Sequence, residues 1–453
     1  LESRKTGKCG SVTIFVLLLF VTLVSMAMVF VEESKQKAVQ GTTREMGLLW
    51  CESILGEYYL PMQKRYDLFG FYGMPEDVAG KVDYLADQSF RDRDIIRYEG
   101  SRCYLYDYCL TDTAVFRRQI VRTGQLELAG KLMGKEKARE KEKPASDAGK
   151  QEEVPGRRIT GSGILADLPS RESPSGFSMD SLKSLAKGIH SPGDLLKKGG
   201  DQAFEDAYIR SHFRNRTGSP DREPHYFFGE MEYLICGKPS DQENERGVRL
   251  RITALREPAN MAYLMGDPEK SAETMAAAQL LTPGPAAAAT QKLLEAAWAL
   301  AESNNDYNLL ISGKKVPFVK TKASWAVDLD AVITGGLPKG SVPGGKSSGE
   351  IVRDRKEKND SGAEAELPKL KPLEHSCIDP GNTSGDTYED YLRGLLVLTG
   401  EEVKLLRMMD LIQINMQFSH DGGFLLRDYY AGLKVVLKVN GKEYNAEREY
   451  QPA

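Results

Sequence analysis

The chain has 453 residues, too many for one typical core, so two or three domains are expected. Its 61 basic and 65 acidic side chains nearly cancel, and no global field draws it to nucleic acid. Hydrophobic residues make up 41% and mean hydropathy is negative, as for a body in water, but one segment departs from that average.

That segment is Val12 to Val31, twenty residues without a charge, fourteen of them Val, Ile, Leu or Phe. As a helix it spans ~30 Å, the thickness of a bilayer's hydrocarbon core. On an insertion scale its apolar residues favour entry into lipid by about 6 kcal/mol. Thr13, Thr22 and Ser25 can bond their own helix carbonyls and oppose this little. Arg4, Lys5 and Lys8 precede the span, and Glu32 and Glu33 follow it. The positive-inside rule then puts the N-terminus in the cytoplasm and the body outside. Two other readings stay open. One is a buried core helix; the other is a signal peptide cleaved after Ser25-Met26-Ala27, although the apolar run continues past that site. The chain opens on Leu1 rather than Met, as a fragment or an alternative start would.

Beyond the span, Val39, Met46, Leu49, Trp50, Ile54 and Tyr58 fall near one helical face. A long juxtamembrane helix is predicted, setting the body off from the bilayer and packing with partner helices, with Pro61 near its end. RYDLFGFYG reads as a strand or aromatic turn, and Asp83–Phe90 as a short helix. Tyr98–Thr111 reads as a strand with Tyr104, Tyr106 and Tyr108 on one side, and Asp112–Met133 as a helix. Residues 134–200 carry a Lys/Glu run and then Ser, Gly and Pro, the composition of a solvated linker, around an amphipathic stretch at Met179–Ile189.

Residues 201–334 form a second block. Phe204, Ala207 and Tyr208 mark a helix. EMEYLIC, Glu230–Cys236, reads as a strand, and Pro258 as the opening of a short helix. Glu269–Leu281 and Ala286–Glu302 read as packed helices; Asp306–Gly313 and Val316–Val319 read as strands. Residues 335–375 are a second linker. In 376–453, Tyr388–Leu398 and Gly400–Phe418 are amphipathic helices, followed by the β pattern of FLLRDYY, LKVVLKV and KEYNAEREY. Asn440-Gly441 lies between the last two as a hairpin signal. The predicted fold class is α+β: cytoplasmic tail 1–11, transmembrane helix 12–31, then a juxtamembrane helix and small α+β region over 32–133.

The candidate chemistry is thin. GSVPGGKS, Gly340–Ser347, fits the phosphate-loop pattern, and the overlapping GKSSG fits a hydrolase elbow. Pro343 removes an N–H from the cradle, and SGEIVRDRKEKNDSG after it has no apolar face to pack a helix. The segment would also lie outside the membrane, away from ATP. DPGNTSGDTYED, Asp379–Asp390, lacks calcium-loop spacing and reads as a turn with a helix N-cap. His212 and His225 read as packed or surface residues, and nothing specifies how His375 or His420 would meet a nucleophile. The cysteines show no C-x-x-C; Cys103 and Cys109, ~20 Å apart on one strand, are too distant for a disulfide. No catalytic, cofactor, metal or nucleotide site is expected. The expected partners are the bilayer, through Val12–Val31, and envelope proteins or a second copy, through the juxtamembrane helix.

A family resemblance adds to this. GSVTIFVLLLF at Gly10–Phe20, GLLWCESILGEYYLPMQKRYDLFGFYG at Gly47–Gly73, EMEYLICGK, NLLISGKKVPFVK and YEDYLRGLLVLTGEEVKLLRMMDLIQINM follow in order. Together they resemble an uncharacterised family of Gram-positive bacterial membrane proteins, itself similar to the TadE/TadG minor-pilin-like proteins of tight-adherence pilus systems. The resemblance implies a cell-envelope protein associated with a pilus-like or secretion apparatus, and no catalytic residues. Phe15 stands five residues after Gly10, where prepilin-like proteins carry Glu, which speaks against prepilin processing. A membrane-tethered hydrolase of envelope polymers and a secreted adhesin are the alternatives.

Overall fold

The computed structural model describes residues 9–132, 168–172, 200–218, 224–334, 377–381 and 384–450. The fold class is α+β, and the chain divides into two units, one made of residues 1–115 and 426–453, the other of 116–425. The grouping of 376–453 as one block is therefore cut: the helical pair joins the second unit and the closing strands return to the first. Both expected linkers, and with them Met179–Ile189, lie almost wholly outside the described residues.

The first unit begins with α1 (Cys9–Leu55), a single helix of 47 residues. α2 (Leu60–Tyr66), β1 (Phe71–Tyr72), α3 (Pro75–Phe90) and β2 (Tyr98–Tyr104) follow. From the other end of the chain come β3 (Tyr429–Tyr430), β4 (Gly432–Val439) and β5 (Lys442–Glu449). β1 pairs with β3; β2, β4 and β5 form an antiparallel sheet in that order, with Cys103 opposite Val435 and Val435 opposite Ala446. Asn440 and Gly441 turn the β4–β5 hairpin at φ 50° and 73°, the left-handed geometry that such a short turn requires. Alternation along β4 sends Leu433, Val435, Leu437 and Val439 into one core with Trp50, Ile54 and Leu55 of α1 and Val78, Val82 and Phe90 of α3. Each fully buried side chain of this size stabilises the unit by roughly 1.5–3 kcal/mol.

The second unit is helical: α4 (Thr113–Leu132), α5 (Asp201–His212), α6 (Glu230–Cys236), α7 (Asp241–Gly266), α8 (Pro268–Leu281), α9 (Ala287–Ile311), α10 (Leu329–Thr334), α11 (Tyr388–Leu398) and α12 (Glu401–Ser419). Their boundaries follow local chemistry. Ser240 caps α7 by accepting from the Glu243 N–H at 3.3 Å. Asp267 caps α8, with Pro268 in its first turn. Thr387 and Asp390 make a reciprocal capping box on α11. A second core gathers Leu264, Trp298, Ala299, Trp325 and Val327; both indole N–H groups donate to the Val327 carbonyl, at 2.7 and 2.8 Å.

Several expectations are overturned. Glu230–Cys236 is a helix, not a strand, and all seven of its residues are buried. Its Glu-Met-Glu alternation imitated an outward polar row, whereas both glutamates point into the protein and are hydrogen-bonded there. Asp306–Gly313 is no strand either, because α9 runs on to Ile311. Residues 301–310 are buried on every side, so the stretch lacks the polar–apolar contrast that reveals a helix. Val316–Val319 contributes only an isolated bridge from Val316 to Asp386. Pro258 lies inside α7, which passes through it. β2 stops at Tyr104 and the chain tightens into a 3-10 turn at Tyr106–Tyr108, so the three tyrosines share no face: Tyr108 is buried and Tyr106 exposed. FLLRDYY is strand only at Tyr429–Tyr430. Pro61 does not end α1, which stops at Leu55, but sits in the first turn of α2. Asp83–Phe90 begins earlier, at Pro75.

Candidate functional site

α1 changes character along its length. From Ile14 to Val31 its large apolar side chains are exposed, between 39% and 69%. Among the described residues it is the one helix long and apolar enough to cross a membrane. From Val39 onward a buried stripe appears at helical spacing: Val39, Thr43, Gly47, Trp50, Cys51, Ile54. Leu49 was expected on this stripe and is exposed instead. The stripe is covered by the chain's own sheet, so it is not a bare face awaiting a partner helix. The contact is close at Gly47, where a Cβ would stand 2.8 Å from Leu437 Cδ1 and 2.9 Å from Ala446 Cβ.

β5 lies along α1 in the same direction. Lys442 Nζ donates to Gln36 Oε1 at 3.1 Å, Cys51 Sγ reaches the Ala446 carbonyl, Arg448 Nε donates to Glu52 Oε1 at 3.0 Å, and the Tyr450 hydroxyl donates to the Leu55 carbonyl. Nineteen helical steps from Gln36 to Leu55 cover ~28 Å, and eight strand steps from Lys442 to Tyr450 cover ~27 Å. The two elements are matched in length, and the hairpin turn falls beside Gln36. The sheet therefore starts within about five residues of the apolar span, closer than a stem that sets the body off from the bilayer would bring it.

The second unit holds a buried charge network. Arg256 Nε and Nη2 donate to Asp306 Oδ2 at 3.0 and 2.8 Å, and Nη1 to the carbonyls of Pro317 and Phe318 at 2.8 Å. Lys320 Nζ donates to Glu302 Oε1 and Asp306 Oδ1, both at 2.6 Å, and to the Ser324 carbonyl at 2.9 Å. Glu302 also accepts from the Val327 N–H at 2.8 Å, and Asp306 from Asn260 at 3.1 Å. Burial works to raise the Asp306 carboxyl, but Arg256 and Lys320 beside it hold it below the usual carboxylate range. Two cations and two anions cancel, with the charged atoms engaged by one another or by backbone. The arrangement braces α7, α9 and the 317–327 loop.

A second polar group joins α6 to α12. Glu230 Oε1 meets His225 Nδ1 at 2.8 Å and accepts from Asn415 Nδ2 at 2.6 Å. Asp410 accepts from the Ser170 N–H at 3.0 Å and from the Tyr233 hydroxyl at 2.9 Å, and burial pushes its carboxyl up to about 6. His212 is buried, stacked on Tyr208 at 4.1 Å between ring centres, its Nδ1 donating to the Tyr208 carbonyl. His420 is exposed beside Ser419, and His375 lies outside the described residues. Burial pushes the Cys103 thiol up to about 12 and the Cys236 thiol up to about 11, so neither is a ready thiolate. All five described cysteine side chains are free.

Two cavities stand out. One, of about 190 Å³, is lined in the second unit by Asp206, Arg393, Gly400 and Lys404 among others. Its charged groups are already paired, Arg393 with Asp206 at 2.6 Å and Lys404 with Glu205 at 2.7 Å. The other, of about 410 Å³, lies in the first unit between Tyr72, Tyr106, Cys109, Arg427 and Tyr430. Neither is lined by the Arg256–Asp306 network. Gly340–Ser347 and the overlapping GKSSG lie outside the described residues. In Asp379–Asp390, Asp379 pairs with Lys314 and Thr387 caps α11, the turn-and-cap reading of that stretch.

No curated protein and no solved structure matches the chain. A model described as "Family of unknown function (DUF5702)" matches residues 148–441, well over half of the sequence, and the chain belongs to that family.

Proposed function

We propose that this is a single-pass membrane protein whose extracytoplasmic body has a structural, non-enzymatic role, as part of a pilus-like or secretion assembly of the cell envelope. The N-terminus lies in the cytoplasm, and everything after the span, the rest of the first unit and the whole of the second, lies outside. One observation carries the reading: the exposed apolar segment and the sheet-bound stem are a single unbroken helix. A helix of this kind holds the first unit rigidly at the bilayer, as a scaffold component requires. The charged groups in and around the smaller cavity are committed to one another, and this supports a body built for packing rather than turnover. With the inner face of α1 covered, partners meet the chain through its membrane segment or the outer side around Leu49.

The experiment is fractionation with protease access. Full-length chain is expected to stay in carbonate-washed membranes, and added protease is expected to clip the body in wall-stripped intact cells. Loss to the carbonate supernatant, or a body protected until the cells are lysed, refutes the proposal. Mass spectrometry of the mature N-terminus separates the secreted alternative, in which the chain would begin at Met28.

A further inference from the structure

The bilayer end of the first unit carries more than α1. Asn440, at the tip of the β4–β5 hairpin, binds the neighbouring 91–97 segment on three atoms. Its N–H donates to the Arg97 carbonyl at 3.0 Å and its Nδ2 to the Ile95 carbonyl at 2.9 Å, while its Oδ1 accepts from the Arg97 N–H at 2.8 Å. Turn and segment therefore form one rim. Lys442 reaches Gln36, so the rim's height along the helix is known: ~7.5 Å beyond Val31, within the headgroup layer of a bilayer whose core ends there. Arg91, Arg93, Arg97 and Lys442 are all exposed on this rim, and Ile95, with 47% of its surface exposed, is its apolar tip.

We infer that this rim is a second, peripheral contact of the protein with the phospholipid headgroup layer, an inference that rests on the membrane-span reading above. The guanidinium and ammonium groups reach phosphates while their stems lie along the interface, and Ile95 enters between headgroups. Acidic neighbours temper the charge: Asp92 and Asp94 alternate with the arginines, and Glu99 pairs with Lys438 at 3.2 Å. The rim meets lipid by position, carried there by its own helix, rather than by a strong positive field. A body held at two points is oriented on the membrane rather than swinging about a single helix.

The test uses the full chain in phosphatidylcholine–phosphatidylglycerol vesicles containing a headgroup-nitroxide lipid. Cys9, Cys109 and Cys377 are replaced by Ser, and a fluorophore is placed in turn at Ile95→Cys, Lys442→Cys and Tyr106→Cys. Tyr106 lies past the far end of β2, ~20 Å from the rim. Quenching at 95 and at 442 is expected to exceed that at 106 by roughly threefold or more, since ~20 Å is about half a bilayer's full thickness. Labelled protein that floats with the vesicles but is quenched equally at all three sites overturns the inference alone. Protein that fails to float overturns the span reading, and this inference with it. Two label sites on the rim keep the result independent of any local disturbance at Ile95.

Discussion

At Gly47 the absence of a side chain decides how near α1 comes to the sheet. A Cβ there would overlap both Leu437 and Ala446, one a core side chain and the other a neighbour with no flexible end to move aside. Gly47→Val is expected to cost about 1–3 kcal/mol by overpacking, read as a lower unfolding midpoint in detergent. Gly41→Val at the same kind of helical position, where a Cβ meets nothing within 4 Å, is the control and should cost little. Asp410 offers a pH-dependent counterpart. Burial raises its folded pKa from 3.8 to about 6, against the Ser170 and Tyr233 hydrogen bonds. The folded state therefore holds the proton more tightly than the unfolded chain. Asp410's contribution is full below about pH 4 and is lost as pH rises through about 6. Relative to Asp410→Asn, the wild type is expected to lose about 3 kcal/mol of unfolding free energy between those limits. Equal pH profiles for the two proteins would refute this. Neither residue's role is legible in the sequence, because the side chains that meet them, Leu437 and Ala446 at Gly47 and Tyr233 at Asp410, come from distant segments.

At the scale of elements, the clearest signals came from local chemistry. The Asn440-Gly441 turn, the Thr387 cap and the apolar stripe of α11 are where their residues alone predict them; α12 has nearly the expected bounds but is not amphipathic, since residues 407–417 are buried on every side. Elements buried on all sides escaped that logic. α6 and the last turns of α9 carry Glu, Asn and Asp facing inward, where partners from distant segments satisfy them. A period cannot be seen where there is no solvent face. The Arg256–Asp306–Lys320–Glu302 network shows what such burial demands. Asp306→Ala leaves Arg256 and an ammonium short of a carboxylate and is expected to destabilise the second unit by about 3–5 kcal/mol. Replacing the facing pair together, Arg256→Met with Asp306→Leu, should be milder than Asp306→Ala alone, because no unmatched buried charge remains. Trp298 and Trp325 share a core beside this network, so tryptophan emission during urea unfolding reports the outcome. A double variant no more stable than Asp306→Ala would mean that shape, not charge balance, sets the cost.

For the whole molecule, the apolar span and the closing hairpin lie at opposite ends of the sequence. Composition alone marked Val12–Val31 as lipid-compatible, because twenty uncharged residues, seventeen of them apolar, need no context to prefer a bilayer. Helical spacing marked the stem that follows, and the Asn-Gly step marked the hairpin. What only the tertiary structure decided was their meeting: β4 and β5 return to clothe the stem, and Lys442 comes to Gln36 across some four hundred positions. The same holds for the buried ion network and for the helical state of Glu230–Cys236. Propensity, period and capping act over a few residues and are written locally. Which distant surface covers a stripe, and which distant cation answers a buried carboxylate, depends on the packing of the complete chain.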